Sequence, residues 1–225
     1  MKIKFIAHSC FYIEHNNFKG LIDPFINGNP SAHVDISEFK DISHLFVTHG
    51  HGDHLGDSVY LGQHFNPLTI SNFEICNYLS MHKLTCHPMH IGGSYNFDFG
   101  RVKMTPALHG SSIQTDTGDL YGGNPGGFLI EIDGKKIYHA GDTGLTMDMK
   151  LLEDEHIDLA LIPIGGNFTM DIHDAVRAVD FIKPKKVIPM HYNTFDLVKA
   201  DPEEFKNLIK NSEVIILNPS EEIEL

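Results

Sequence analysis

VTHGHGDHLGD, residues 47–57, makes a poor core segment and an unusual loop. His49, His51, Asp53 and His54 place four strongly hydrated groups within six positions, directly after the apolar run LFVT (45–48). Buried without partners, such groups are costly. The pattern HxHxDH arises by chance roughly 0.006 times in a chain carrying 16 histidines, so a cation that gathers these side chains is the better reading. In an extended segment His49 and His51 point the same way, about 6.6 Å apart at the Cα level, and two imidazoles converge on one ion. Asp53 and His54, one turn past the strand end, face a second ion. The spacing predicts a dinuclear site.

Two ions need more than four ligands. Strand ends deliver side chains to one rim of a sheet, so a His or Asp just after an apolar strand is the place to look. His109 follows VKMTPAL, Asp142 follows KKIYHAG within GDTG, and His191 follows KVIPM. Each alone reads as a structural residue; together they complete a ligand set. No Cys is among them, and nitrogen and oxygen donors suit zinc, manganese or iron.

The rest of the chain supplies a scaffold of two similar halves, about 1–115 and 116–225, within a single domain spanning 1–225. KIKFIA, CFYIE and KGLID read as short strands. Helices are predicted over 57–65 and 72–82, and SYNFDF with RVKMTPAL reads as a strand pair around Gly100. TDTGDLYGGNPGG (115–127) is the expected midpoint loop. Beyond it, GFLIEI and KKIYHA flank Asp133-Gly134 as a hairpin. LALIPI and KVIPM are continuous apolar runs, as in strands covered on both faces. Helices are predicted over 171–182 and 201–210, with EVIIL as a last strand. Strand clusters alternating with helices predict an α/β fold of two sheets packed face to face with helices outside.

Composition bounds the partners. Seventeen basic against thirty acidic residues give a net charge of −13, which disfavours nucleic acid and anionic membranes. No apolar run approaches the ~18–20 residues of a membrane span, and the N-terminus lacks a leader pattern. Three scattered cysteines, Cys10, Cys76 and Cys86, suit a reducing compartment. The expectation is a cytoplasmic protein with a small-molecule substrate; a homo-oligomer is compatible with the sequence.

THGHGDH, the His of ALHG, the GDTG segment and the His of PMHYN, in that order, resemble the metallo-β-lactamase superfamily over nearly the whole chain. AHSCFYIE, GGNPGGFLIE, PIGGNFTM and PMHYNTF are similar to its small metal-dependent hydrolases related to ascorbate-6-phosphate lactonase, the UPF0173-like subgroup. The resemblance implies a four-layer αββα sandwich. It implies that His49, His51 and His109 bind one metal, that Asp53, His54 and His191 bind the other, and that Asp142 bridges. Zinc comes first among the metals, manganese and iron after it. Asp142 stands where zinc β-lactamases carry Cys, which lowers the expectation of β-lactam hydrolysis.

The implied chemistry is hydrolysis of a small ester, a lactone or a phosphoester, by water that the metals acidify. Asp53 is placed to orient that water and take its proton, and His8 is a candidate proton donor to the product. An iron-based redox domain and a phosphodiesterase or nuclease are the alternatives. Gly165, Gly166, Asn167 and Thr169 follow a buried strand, and Tyr192, Asn193 and Thr194 adjoin His191. Asn167, Thr169 and Asn193 are therefore candidates for substrate binding. His139 reads as a supporting or core residue, and His173 as a helix-start residue where the subgroup more often has Glu.

Overall fold

The computed structural model describes residues 1–225. The chain divides into two compact units. Met1–Ile91, Gly110–Pro125 and Asn218–Leu225 form the first; Gly92–His109 and Gly126–Leu217 form the second.

Followed along the chain, β1 (Lys2–Ala7), β2 (Cys10–His15) and β3 (Phe18–Ile22) form an antiparallel meander, and β4 (His44–Phe46) joins β3 in parallel. α1 (Gly52–Leu55) and α2 (Ser58–Phe65) lead to β5 (Leu68–Asn72), and α3 (Phe73–Met81) leads to β6 (Cys86–Met89), both strands again parallel. Asn72 starts α3 by accepting the Ile75 N–H at 2.8 Å, which satisfies one of the donors that a helix start exposes. The second unit opens with β7 (Ser94–Phe97) and β8 (Gly100–Pro106). The hairpin β9 (Ser112–Thr115) and β10 (Gly118–Tyr121) belongs to the first unit.

β11 (Gly126–Ile132) and β12 (Lys135–His139) are joined by Asp133-Gly134, with φ of 51° and 74°. Positive φ at both turn positions is what a two-residue hairpin asks for. β13 (Leu159–Pro163), α4 (Ile172–Ile182), β14 (Lys186–Met190), α5 (Pro202–Leu208) and β15 (Glu213–Val214) follow, and β16 (Glu222–Glu224) pairs with β1. Leu159 to Pro163 are all buried, in line with the two-sided cover that parallel strands require. On α4, Ala175, Ala178, Val179 and Ile182 form the buried stripe, while His173, Arg177 and Asp180 are exposed.

Each unit carries a seven-stranded sheet, ordered β16-β1-β2-β3-β4-β5-β6 in the first and β15-β14-β13-β12-β11-β8-β7 in the second. The class is α/β, as the patterning predicts. The units do not part at residue 115, because β7 and β8 pair onto β11 and β16 pairs onto β1. Which sheet a strand joins is a long-range matter that no local pattern records.

Two local readings are corrected. The expected midpoint loop holds the hairpin β9–β10, whose turn is pinned by the Thr115 hydroxyl donating to the Gly118 carbonyl at 2.6 Å. Its glycines obscured the pairing. EVIIL pairs with β14 in register only at Glu213 and Val214, the Ile215 N–H adds a last bond to the Val187 carbonyl at 2.9 Å, and the chain then leaves the sheet edge.

His44 carries a pH prediction. Its ring stacks on Phe18 at 5.2 Å, its Nδ1 lies 2.9 Å from the Ser43 hydroxyl, and burial pushes its pKa down to about 4. The unfolded chain therefore binds the proton first, near the ordinary value of about 6.5. That contribution to stability is present above pH 6.5 and is lost as pH falls toward 4. In metal-free protein, His44→Gln should flatten the acid limb of a denaturant-midpoint-against-pH curve. An unchanged limb would show that His44 does not couple folding to pH.

Candidate metal centre

In the first unit, β4 stops at Phe46 and the HxHxDH run is not one extended segment. His51, at φ −64° and ψ 151°, starts α1, and Asp53 and His54 lie within that helix. The His51 carbonyl accepts from the N–H groups of His54 at 3.0 Å and Leu55 at 2.8 Å. Two of the motif's three glycines, Gly50 and Gly56, are steric requirements. A Cβ on Gly50 would lie 2.8 Å from Ile113 Cγ1, and one on Gly56, at φ 41°, would run into the Pro24 carbonyl.

Asp23 organises this unit's histidines. It is fully buried and accepts from the Thr48 N–H at 2.8 Å, the Thr48 hydroxyl at 2.7 Å and His54 Nδ1 at 2.7 Å. An ionised carboxylate can only accept, so Nδ1 of His54 carries the proton and Nε2 presents its lone pair. A histidine tied to a carboxylate in this way has the ring orientation and basicity of a metal ligand. With its proton given to Asp23, the Thr48 oxygen accepts from His49 Nδ1 at 3.0 Å. His49 Nε2 then faces His51 Nδ1 at 3.0 Å. Two ring nitrogens at that separation share a proton or a cation. His8 Nε2 lies 3.3 Å from Asp53 Oδ2, and ligand atoms of His8, Asp53 and His54 fall within 4.8 Å of one another.

In the second unit, Thr143 ties the loop after β8 to the loop after β12. Its hydroxyl accepts the Leu108 N–H at 2.9 Å, and Gly144 donates to the Leu108 carbonyl at 3.0 Å. This lacing sets His109 Nε2 3.6 Å from Asp142 Oδ2, and His191 Nε2 reaches the same oxygen at 3.0 Å. Asp142 is buried at 3% exposure. His191 leaves β14 at φ 55°, and Gly165 lacks the Cβ that would collide with its carbonyl. One buried carboxylate between two imidazoles is the donor chemistry of a divalent cation site.

The expected ligands thus fall into two sets: His49, His51, Asp53 and His54 in the first unit, and His109, Asp142 and His191 in the second. Each set has the donors, the burial and the supporting hydrogen bonds that a divalent cation needs. Asp23, Thr48 and Thr143 are not among the residues expected from the sequence. Asp23 closes the apolar run KGLI, so the strand-end criterion that selects Asp142 also selects it. Thr48 and Thr143 carry no comparable signal.

The remaining sites are placed as follows. Asn167, at φ 51°, is exposed, and Thr169 closes the turn from Gly166. The Asn193 amide donates to the Ala200 carbonyl at 3.0 Å and accepts its N–H at 3.1 Å, which braces residues 193–200. His139 is fully buried, and its Nδ1 accepts from the Gly141 N–H at 3.1 Å. His173 is exposed in the first turn of α4, where Asp171 is the cap. His173→Ala should leave metal content unchanged by elemental analysis; loss of an ion would make it a ligand.

A family model described as the beta-lactamase superfamily domain matches residues 2–191, a span that ends on His191 and holds all seven expected ligands. The chain belongs to the beta-lactamase superfamily. A UPF0173 metal-dependent hydrolase of Alkaliphilus metalliredigens is 60% identical over 221 residues, 98% of each chain. Its counterpart in Carboxydothermus hydrogenoformans is 49% identical over the full length of both. Among solved structures, Igni18, a metallo hydrolase from Ignicoccus hospitalis, is 33% identical with a TM-score of 0.90, covering 99% of this chain and 97% of that one. The fold is therefore the metallo-β-lactamase fold that the motifs predict. No helix is long and apolar enough to cross a membrane.

Proposed function

We propose that this chain is a metal-dependent hydrolase that cleaves a small ester, a lactone or a phosphoester, using two divalent cations. In this reading His49, His51 and His109 hold one ion, Asp53, His54 and His191 hold the other, and Asp142 bridges. Zinc is the first choice of metal. The observation that carries the reading is the buried chain from Asp23 through Thr48 to His49, with Asp23 also gripping His54. It fixes two imidazoles in the tautomer that ligates. The UPF0173 relatives, named as metal-dependent hydrolases, support the reaction class.

When bound, the cations supply Lewis acidity and bring the pKa of coordinated water toward neutrality. The chain's own residues then divide the proton work. Asp53, with a side chain 29% exposed, is open to a water and to His8 at 3.3 Å. Its carboxylate takes a proton as the water oxygen bonds to the acyl carbon or phosphorus. His8, held at φ 60° and edge-on to Phe25 at 5.9 Å, relays that proton to the oxygen of the breaking ester bond. Proton transfer of this kind is worth typically 10²–10⁴-fold in rate, roughly.

The test is an activity screen of metal-loaded protein across lactones, phosphoesters and thioesters, with chelator-treated protein as control. Turnover of a lactone or phosphoester that chelator abolishes and a divalent ion restores is the expected result. Protein that cleaves none of them, carries iron and consumes oxygen with a reductant would replace the hydrolase with a redox domain.

A further inference from the structure

The second unit contains a cavity of about 290 Å³ with no assigned role, beneath the residues that follow β12. None of the proposed metal ligands lines it. Its walls are apolar: Met104, Pro106, Met149, Leu151 and Leu152 contribute, and Leu151 sits at the rim, 74% exposed. Two hydroxyls interrupt that lining. Tyr138 is fully buried and Thr105 is 2% exposed; the two hydroxyls lie near each other, and neither makes a hydrogen bond of ordinary geometry. Burial raises the Tyr138 phenol, and Thr105 opposes that only in part. A buried hydroxyl without a well-aligned partner is costly, so a pair of them in one cavity calls for an occupant.

Register explains how the two hydroxyls come to share the cavity. Tyr138 and Lys103 both stand opposite Leu129, and Thr105 stands opposite Gly127, one same-face step along β11. Side chains alternate across a strand, so Tyr138 and His139 project to opposite faces of β12. A Cβ on Gly127 would lie 2.8 Å from Thr105 Oγ1; glycine at this position leaves the threonine hydroxyl its room.

The lining also sets the charge and size of the occupant. Lys103 pairs with Glu155 at 3.0 Å, which also holds Lys136 at 3.1 Å, and Asp148 adds a second carboxylate to the lining. Two ammonium groups and two carboxylates sum to no net charge around the cavity, so a neutral molecule fits better than an anion. The volume holds roughly ten heavy atoms at ~30 Å³ each, the low end of small-molecule pockets. Two O–H donors suit one acceptor oxygen.

We propose that this cavity binds a small neutral apolar molecule through a carbonyl oxygen that accepts hydrogen bonds from Tyr138 and Thr105. The site is separate from the metal ligands, and its occupant needs no reaction there.

Full-length, metal-loaded protein with ¹³C-labelled methionine methyls can be titrated with 2-octanone, and with n-nonane as a hydrocarbon of similar size. A saturable shift confined to Met149 is expected with 2-octanone. Tyr138→Phe, which deletes one oxygen and should melt no lower than the parent, should weaken 2-octanone binding about tenfold while leaving n-nonane unaffected. Thr105→Val should act in the same direction. The proposal is overturned if 2-octanone produces no saturable shift, as for a cavity filled by water alone. Shifts spread over all the methionines, or undiminished affinity in Tyr138→Phe, would overturn it equally.

Discussion

Asp142→Asn should leave the protein folded and cost it at least one of the two ions proposed for it. The substitution keeps the shape of the side chain and removes its charge. In the structure that carboxylate is 3% exposed and has His191 at 3.0 Å and His109 at 3.6 Å, so little solvent screens it. A unit charge about 4 Å from another contributes about 4 kcal/mol at an effective dielectric of 20. Lost from a metal site, that is roughly a thousandfold in affinity. Elemental analysis after dialysis should fall from two ions per chain toward one, and competition with a chelator should show the remainder held more weakly. Hydrolytic activity should fall by a similar factor. A variant that keeps both ions against the same chelator concentration would remove Asp142 from the ligand set.

Asp23→Ala should damage both stability and metal binding, and the two effects can be separated. Three donors lose their acceptor at once: the Thr48 N–H, the Thr48 hydroxyl and His54 Nδ1. Each buried donor left unsatisfied costs about 1–3 kcal/mol, so metal-free protein should lose about 3 kcal/mol or more in a denaturant titration. His54 then has no partner to fix its tautomer, and the Thr48 hydroxyl is released from its role toward His49. Loss of such outer-shell partners typically costs about 10–100-fold in metal affinity. Unchanged stability of the metal-free variant would contradict the buried network. Unchanged affinity with lowered stability would confine Asp23 to holding the loop.

HxHxDH stands out because its four residues are close in the chain, and a cation explains their density. The Asp133-Gly134 hairpin is legible for a similar reason: a two-residue turn with positive φ at both positions narrows the choice to very few residue pairs. The hairpin β9–β10 was hidden because its strands are four residues each and its glycines look like loop. Asn193 was read by its neighbourhood to His191, whereas its amide is committed to Ala200, a partner seven residues away.

By itself the sequence determined the α/β class, the superfamily, and the residue types offered to a metal, because these rest on periodicity and on motifs compact enough to be read along the chain. Only the tertiary structure decided that Asp23 rather than solvent holds His54, that Thr143 sets His109 beside Asp142, and that β7, β8 and β16 join the sheets they do. Those pairings join residues 31, 33, 35 and up to 222 positions apart. A hydrogen bond across such a separation forms only after the strands that carry its partners have packed, and no local pattern of residues encodes it.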